Sequence, residues 1–465
     1  MYLTLASVAQ KAIAFVYFAL IARAFGTSDT GAYFVALALV TVIAVFDDMG
    51  MTPVLIREVA KAPERALHWV RTMIGIKVIT IPVTVLIAWF LPQFMGYDLE
   101  LIWLVRLAIL VMLADTLSLS FYGVLRGLHT LKYESVGIFF GQMITAAVGL
   151  TLIFTGQATL LLLVLALVLG STWNLFFSAW QVIRRLGWTV IIPTYADGWK
   201  PLKLAFAFFL AAAFVKVYSF TDSLLLERLI GTDEAGIYAV AYKLTYAFQF
   251  LPLAFVGALY PTLSAQANDK ERLKKTLMQS FWYLSVLVVP IVLGIWSLSE
   301  EIVVAFYGIE FAMSAVALQI LIFALIFIFL DFPIGSLLNA TNRQATKTAI
   351  MGVTMIINVV ANILLIPTYG AVGASIAGLI SFIFLFAAGW FFATRVLPLR
   401  LMDLAKTTWG IWLSGLVMTA VVLATKSSIH FLLAIALGAV VYIVGLFLTR
   451  AVTGDQLKSI KKLLV

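Results

Sequence analysis

The chain has 465 residues, of which 63% are hydrophobic and only 11% charged, whereas soluble domains carry roughly 25% charged residues. That composition excludes a soluble globular protein and predicts an all-α polytopic membrane protein. The net charge is +9, and the absence of cysteine excludes disulfide and thiol chemistry.

A bilayer core of about 30 Å needs about 20 mostly apolar residues per helix. Fourteen stretches meet that length: 3–26, 31–58, 70–91, 101–127, 134–156, 159–183, 203–230, 236–264, 277–298, 313–339, 347–366, 371–394, 405–425 and 430–450. No cleavable signal peptide is visible, so the first stretch is read as an uncleaved signal. The intervening loops alternate sharply in charge. One set (57–71, 126–134, 184–203, 265–278, 341–347, 395–406 and 450–465) holds 23 Lys and Arg; the other holds one, Lys426. The positive-inside rule then places both termini in the cytoplasm of a multi-pass inner-membrane protein. The basic charge is thereby a topology signal, and nucleic acid is excluded as a partner. The tail 454–464 sets Leu457, Ile460 and Leu464 on one face, which predicts a short amphipathic helix at the inner interface.

Two stretches repeat. Arg23-x2-Gly26-Thr27-x3-Gly31-x-Tyr33 recurs as Arg228-x2-Gly231-Thr232-x3-Gly236-x-Tyr238, 205 residues on. Over Leu5–Leu39 the same offset gives 13 identities in 35 positions, including Lys11 with Lys216. The match continues with Pro53 and Pro261, then Pro82 and Pro290, at offset 208. This predicts an internal duplication with six helices per copy. An even number of crossings keeps both copies in one orientation, so the relating axis runs along the membrane normal. The expected domains are a six-helix lobe at 1–183, a cytoplasmic linker at 184–202, a second six-helix lobe at 203–394, and two further helices with a basic tail at 395–465. Each motif reads locally as a tight turn. Its Arg lies at the negative end of one helix, its Gly has positive φ, and Thr27-Ser28-Asp29 or Thr232-Asp233-Glu234 caps the next helix.

No phosphate-binding Gly-x4-Gly-Lys-Ser/Thr loop occurs, which argues against ATP hydrolysis. His68, His129 and His430 are scattered, which argues against a metal site. No cofactor is implied, and no outer loop is long enough for a catalytic centre. The informative residues are charges within the apolar stretches: Lys11, Arg23, Lys77, Arg106, Lys216, Arg228 and Lys243, with Asp47, Asp48, Asp115, Asp222, Glu227 and Asp331. A charge at membrane depth should face a bundle interior, a hydrated cavity or a partner. Lys11 and Lys216 each stand 15 residues before their cap glycine, roughly 22 Å below the outer turn at 1.5 Å per residue. The cations exceed what the acids need, which predicts a net positive cavity suited to an anion. A fixed ion pair is the structural reading of the same residues. Asp48, Asp115, Asp222 and Asp331 are the candidates for coupling to H+ or Na+. Tyr238, Tyr242 and Tyr246 form a one-face stripe that reads as core packing or as a sugar-stacking wall.

Several stretches resemble one family. Phe46-Asp-Asp48-Met-Gly50-Met-x5-Arg57-Glu58-Val-Ala60-Lys61 is similar to the second-helix signature of Wzx-type polysaccharide flippases. Ile21-Ala-Arg23-Ala-Phe-Gly26, Gly236-Ile-Tyr238-x3-Tyr242-Lys243, Leu337-Leu-Asn-Ala-Thr-Asn342-Arg-Gln344 and Asn362-Ile-Leu-Leu-Ile-Pro367-Thr-Tyr-Gly370 follow in the family's order. The resemblance implies membership of the multidrug/oligosaccharidyl-lipid/polysaccharide exporter superfamily. It implies two six-helix lobes, alternating access and a polyprenyl-diphosphate-linked oligosaccharide as cargo. Membrane lipids and glycan-assembly enzymes are the implied partners. On this reading Lys11, Arg23, Lys77, Lys216, Arg228 and Lys243 bind substrate and no residue is catalytic. Lipid II flippase relatives carry extra arginines where this chain has Ala44 and Val45, which sets lipid II apart as cargo. A drug/cation antiporter of the same superfamily, a membrane glycosyltransferase or polymerase, and a non-transporting scaffold remain alternatives.

Overall fold

The structure is a computed structural model describing residues 2–452. The amphipathic helix expected over 454–464 lies outside the described residues. Within them the chain is helical, with short turns and no strand. In order come α1 (Tyr2–Asp48), α2 (Met51–Lys61), α3 (Ala66–Phe94), α4 (Leu99–Gly127), α5 (Lys132–Phe154), α6 (Leu160–Leu186), α7 (Lys200–Leu229) and α8 (Thr232–Tyr246). Then follow α9 (Phe250–Ala265), α10 (Lys270–Ser297), α11 (Ser299–Tyr307), α12 (Ser314–Leu321), α13 (Ala324–Ala340), α14 (Gln344–Thr394), α15 (Leu401–Thr425) and α16 (Phe431–Leu448).

Among the described residues, twelve runs are long and apolar enough to cross a membrane. Two of them pass through a kink. Gly26 in α1 has φ 75° and ψ −170°, and Gly370 in α14 has φ 54° and ψ −133°. Both conformations belong to glycine, so helical hydrogen bonding stops there and each run is two membrane helices. The result is an all-α protein with fourteen membrane helices, broken where the apolar stretches end in the sequence. The expected second helix is itself interrupted at Met49–Gly50, both at positive φ. There the backbone of α7 comes so close that a Cβ on Gly50 would lie 2.5 Å from the Phe209 amide.

By contact the chain groups into two compact units, Met1–Ala239 with Val359–Ala374, and Val240–Asn358 with Ser375–Val465. In the first, α6 packs on α4 and α5, and α1 packs on α4, α5 and α7. Leu55, Val59, Val70, Met73, Phe121 and Val182 form a buried core. The segment joining the two sequence repeats is pinned to the same end of α3. Arg71 Nε donates to the Ile192 carbonyl at 2.9 Å, the Thr194 amide donates to Arg71 O at 3.0 Å, and Asp197 meets His68 at 2.6 Å.

In the second unit, α10 is the post on which the last two helices dock. Lys274 pairs with Asp403 at 2.7 Å, the Trp282 indole donates to Ala451 O at 2.9 Å, and the Tyr442 hydroxyl donates to Val286 O at 3.0 Å. Gly415 lies against Val289 and Leu293, leaving no room for a side chain.

Candidate functional site

The two copies of the repeated motif lie against each other in the first unit. Thr27 Oγ1 donates to Asp233 Oδ1 at 2.6 Å, and the Ser28 and Thr232 hydroxyls are 2.7 Å apart. In the repeat, Thr27 corresponds to Thr232 and Ser28 to Asp233, so the contacts are reciprocal. The glycines behave the same way. A Cβ on Gly31 would overlap the Thr232 carbonyl, and one on Gly236 would overlap the Thr27 carbonyl. This clasp joins the turn after the Gly26 kink of α1 to the start of α8. It differs from the expected reading of Thr27, Ser28, Thr232 and Asp233 as local helix caps, because their oxygens are spent across the pair. Glu234 also acts at a distance. Its Oε2 accepts the Ala371 amide at 2.6 Å, capping the helix that restarts after the Gly370 kink. A carboxylate suits that positive helix end.

The candidate cations fall into distinct settings. Lys77 is buried and its Nζ lies 2.8 Å from Asp47 Oδ2, both side chains almost wholly enclosed. Thr80 donates to the other Asp47 oxygen at 3.0 Å. Lys77 is thereby neutralised within a closed pair of α1 and α3. Lys11 on α1 is exposed, and among the described residues it has no hydrogen-bond or ion-pair partner. Lys216 is half-buried on α7, which packs against α1. Its one described partner is the face of Phe220, 5.4 Å away. Phe15 stands in the matching place after Lys11. Arg23 and Arg228 are exposed near the C-terminal ends of their helices, Arg228 close to the Gly96 turn. Lys243, in the second unit, is exposed on α8.

The four candidate acids also separate. Asp48 holds the start of α2, accepting from the Thr52 hydroxyl at 2.5 Å and its amide at 3.4 Å. Asp331 in the second unit accepts Lys347 Nζ with both oxygens, at 2.7 and 2.6 Å. That is the fixed pair with a lysine that the structural reading allowed. Asp115 is exposed on α4, beside the buried Ser171 hydroxyl. Asp222 is fully buried on α7. Its Oδ2 accepts the Tyr238 hydroxyl, and its Oδ1 has no hydrogen-bond partner. Tyr238 is thus taken out of the tyrosine stripe, whereas Tyr242 and Tyr246 pack ring on ring at 4.3 Å in the second unit.

One feature was not singled out from sequence. A cavity of about 460 Å³ in the first unit is lined by Trp89, Trp103, Arg106 and five leucines of α4 and α6. The Arg106 guanidinium lies 4.4 Å from the Trp89 ring centre and 4.9 Å from that of Trp103. The Trp103-x2-Arg106 spacing was legible as a one-turn pair. Trp89 comes from another helix and was not.

The sequence pattern of the family described as polysaccharide biosynthesis protein matches residues 1–267. That of the family described as MatE matches 207–364. The chain is 23% identical over 383 residues to the probable low-salt glycan biosynthesis flippase Agl15 of Haloferax volcanii, covering 82% of this chain and 79% of that one. A solved lipid II flippase MurJ in an inward closed conformation superposes with a TM-score of 0.79 at 18% identity, covering 96% of this chain and 98% of that one. An inward-facing multidrug resistance MATE family transporter of the MOP superfamily gives 0.66 at 14%, covering 85% and 95%. These two structural likenesses carry the fold.

Proposed function

The chain belongs to the polysaccharide biosynthesis protein family, and from that premise we propose that it is a flippase for polyprenyl-diphosphate-linked oligosaccharide. It works by alternating access from the inner to the outer leaflet of the cytoplasmic membrane, with both termini inside. The observation that carries this reading is the pair Lys11 and Lys216. Both are at membrane depth, on packed helices, at the same place in two repeats, and neither has an acidic partner among the described residues. An ammonium held there without a counter-charge favours an anionic ligand. A diphosphate supplies that charge, while the prenyl chain stays in lipid. Arg23 and Arg228 stand twelve residues further along the same two helices, and Lys77 supports the scaffold through Asp47. Agl15 and MurJ, named for glycan biosynthesis and for lipid II flipping, support the class of cargo.

On this reading the protein acts as a transporter. With no ATP-binding loop, the drive is an ion gradient or mass action. Asp222 is the strongest coupling candidate. It is a buried carboxyl with one oxygen satisfied and one open, so H+ or Na+ occupancy would change its energy. Asp115 is the second. Asp331 is held by Lys347 and Asp48 by Thr52, which supports structural roles.

Replacing Lys11 or Lys216 with Ala should abolish glycan export at normal membrane levels, with a polyprenyl-linked intermediate accumulating on the cytoplasmic side. Arg at either position should keep part of the activity, since charge remains while shape changes. Full export from the double alanine variant would contradict the proposal. The MatE match over 207–364 supports a second reading, a drug/cation antiporter. That reading predicts organic-cation efflux and no accumulated glycan intermediate.

A further inference from the structure

The Arg106 cavity is unused by the reading above. Its guanidinium has five donors and makes no hydrogen bond or ion pair among the described residues, and its Nε is buried without a partner. Two tryptophans hold the group on its faces, which leaves its edges free. Leu110 lies one turn further into α4, and Leu161 and Leu165 line the groove from the first turns of α6; all three present exposed apolar side chains, as do Trp89 and Trp103. The site is therefore a planar cation set in an apolar groove.

Its depth is informative. Arg106 stands eight residues after Asp98, the N-cap of α4, and thus about 12 Å below that helix end. Helical side chains lean toward the N-terminus, which lifts the guanidinium toward Trp103, four residues after the start of α4, and Trp89, five before the end of α3. On the proposed topology that end is outside, and paired tryptophans at that level form an interfacial belt. A phosphate belongs at this height, and an acyl chain beneath it runs along Leu107 and Leu110 of α4.

We propose that this groove is a binding site for a phospholipid of the outer leaflet, with Arg106 donating to the phosphodiester, Leu107 and Leu110 of α4 holding an acyl chain and the α6 leucines walling the groove. The charge argument selects the occupant. Arg106 is the one cation in the lining, matching the single charge of a phosphodiester and not the two or more of a diphosphate. A guanidinium fork also fits two phosphate oxygens at once. The proposal uses the orientation given above but not the transport activity.

The test is native mass spectrometry of the full chain in detergent, titrated with phosphatidylglycerol. The wild type should retain one lipid through detergent removal. R106Q should bind it about tenfold more weakly, the loss expected for one charge-assisted contact. R106K should be intermediate, and W89L should weaken binding while keeping the charge. Glycerol 3-phosphate should not displace the lipid, since the headgroup alone lacks the groove contacts. Equal retention by wild type and a folded R106Q would overturn the proposal. Should R106Q not fold, unchanged retention in both R106K and W89L would overturn it. Displacement by polyprenyl diphosphate would assign the groove to the transported lipid, and displacement by glycerol 3-phosphate would assign it to free phosphate; either contradicts a phospholipid site.

Discussion

Replacing Gly236 with Ala should open the clasp between the two motif copies. An added Cβ would overlap the Thr27 carbonyl oxygen and lie 2.9 Å from the carbonyl carbon and 3.1 Å from the Gly31 amide nitrogen. Ordinary contact needs about 3.5 Å, so the backbones must part by roughly 1 Å or more. The hydroxyl bonds at 2.6 and 2.7 Å would then stretch beyond hydrogen-bonding range. Two such bonds contribute about 1–3 kcal/mol together, which shifts an open–closed equilibrium about 5- to 150-fold. Thr30 is fully buried three residues past Thr27. In this cysteine-free chain, Thr30→Cys gives a reporter for an impermeant maleimide. Labelling should be at least fivefold faster in the Gly236→Ala background, about the lower end of that range. Gly257→Ala is the control, since a Cβ there meets nothing within 4 Å. Gly31→Ala should match Gly236→Ala, and the two together should add little because they break one contact. Equal labelling in the Gly236 and Gly257 variants would refute the reasoning.

Lys77→Met should destabilise the protein by about 3–5 kcal/mol because it strands the buried Asp47 carboxylate, whereas Lys77→Met with Asp47→Leu should recover much of that loss; melting in detergent measures both, and equal melting of single and double variants would contradict a structural pair. Asp222→Asn should remove the response of transport to a pH or Na+ gradient in liposomes while leaving the fold intact. Asp331→Asn should do the reverse, lowering stability by freeing Lys347 while the gradient response stays. Those outcomes interchanged would move the coupling role to Asp331.

The helices were legible because a bilayer dictates length and composition, and the glycines at 26 and 370 end apolar runs that the chain then restarts. The repeat was legible as sequence identity, and the positive φ of Gly26 and Gly231 followed from local turn chemistry. What Gly31 and Gly236 are for was not. Their lack of a side chain matters only where another backbone arrives, and that backbone lies about two hundred residues away. Glu234 reads as a first-turn acid of its own helix, yet it caps one that restarts at Ala371. Lys11 and Lys77 look alike in sequence, and only the facing of Asp47 separates a closed pair from an open ammonium. Lys347 was counted as a loop charge, though it reaches back from the start of α14 to Asp331 on α13, 16 residues earlier.

The most direct measurement is translocation itself. Purified protein in sealed liposomes is given a polyprenyl-diphosphate-linked oligosaccharide bearing a fluorescent sugar, and a membrane-impermeant quencher reports which leaflet holds it. Wild-type protein should move the sugar across the bilayer, and Lys11→Ala with Lys216→Ala should not. Equal rates in wild-type, double-variant and protein-free liposomes would contradict the account.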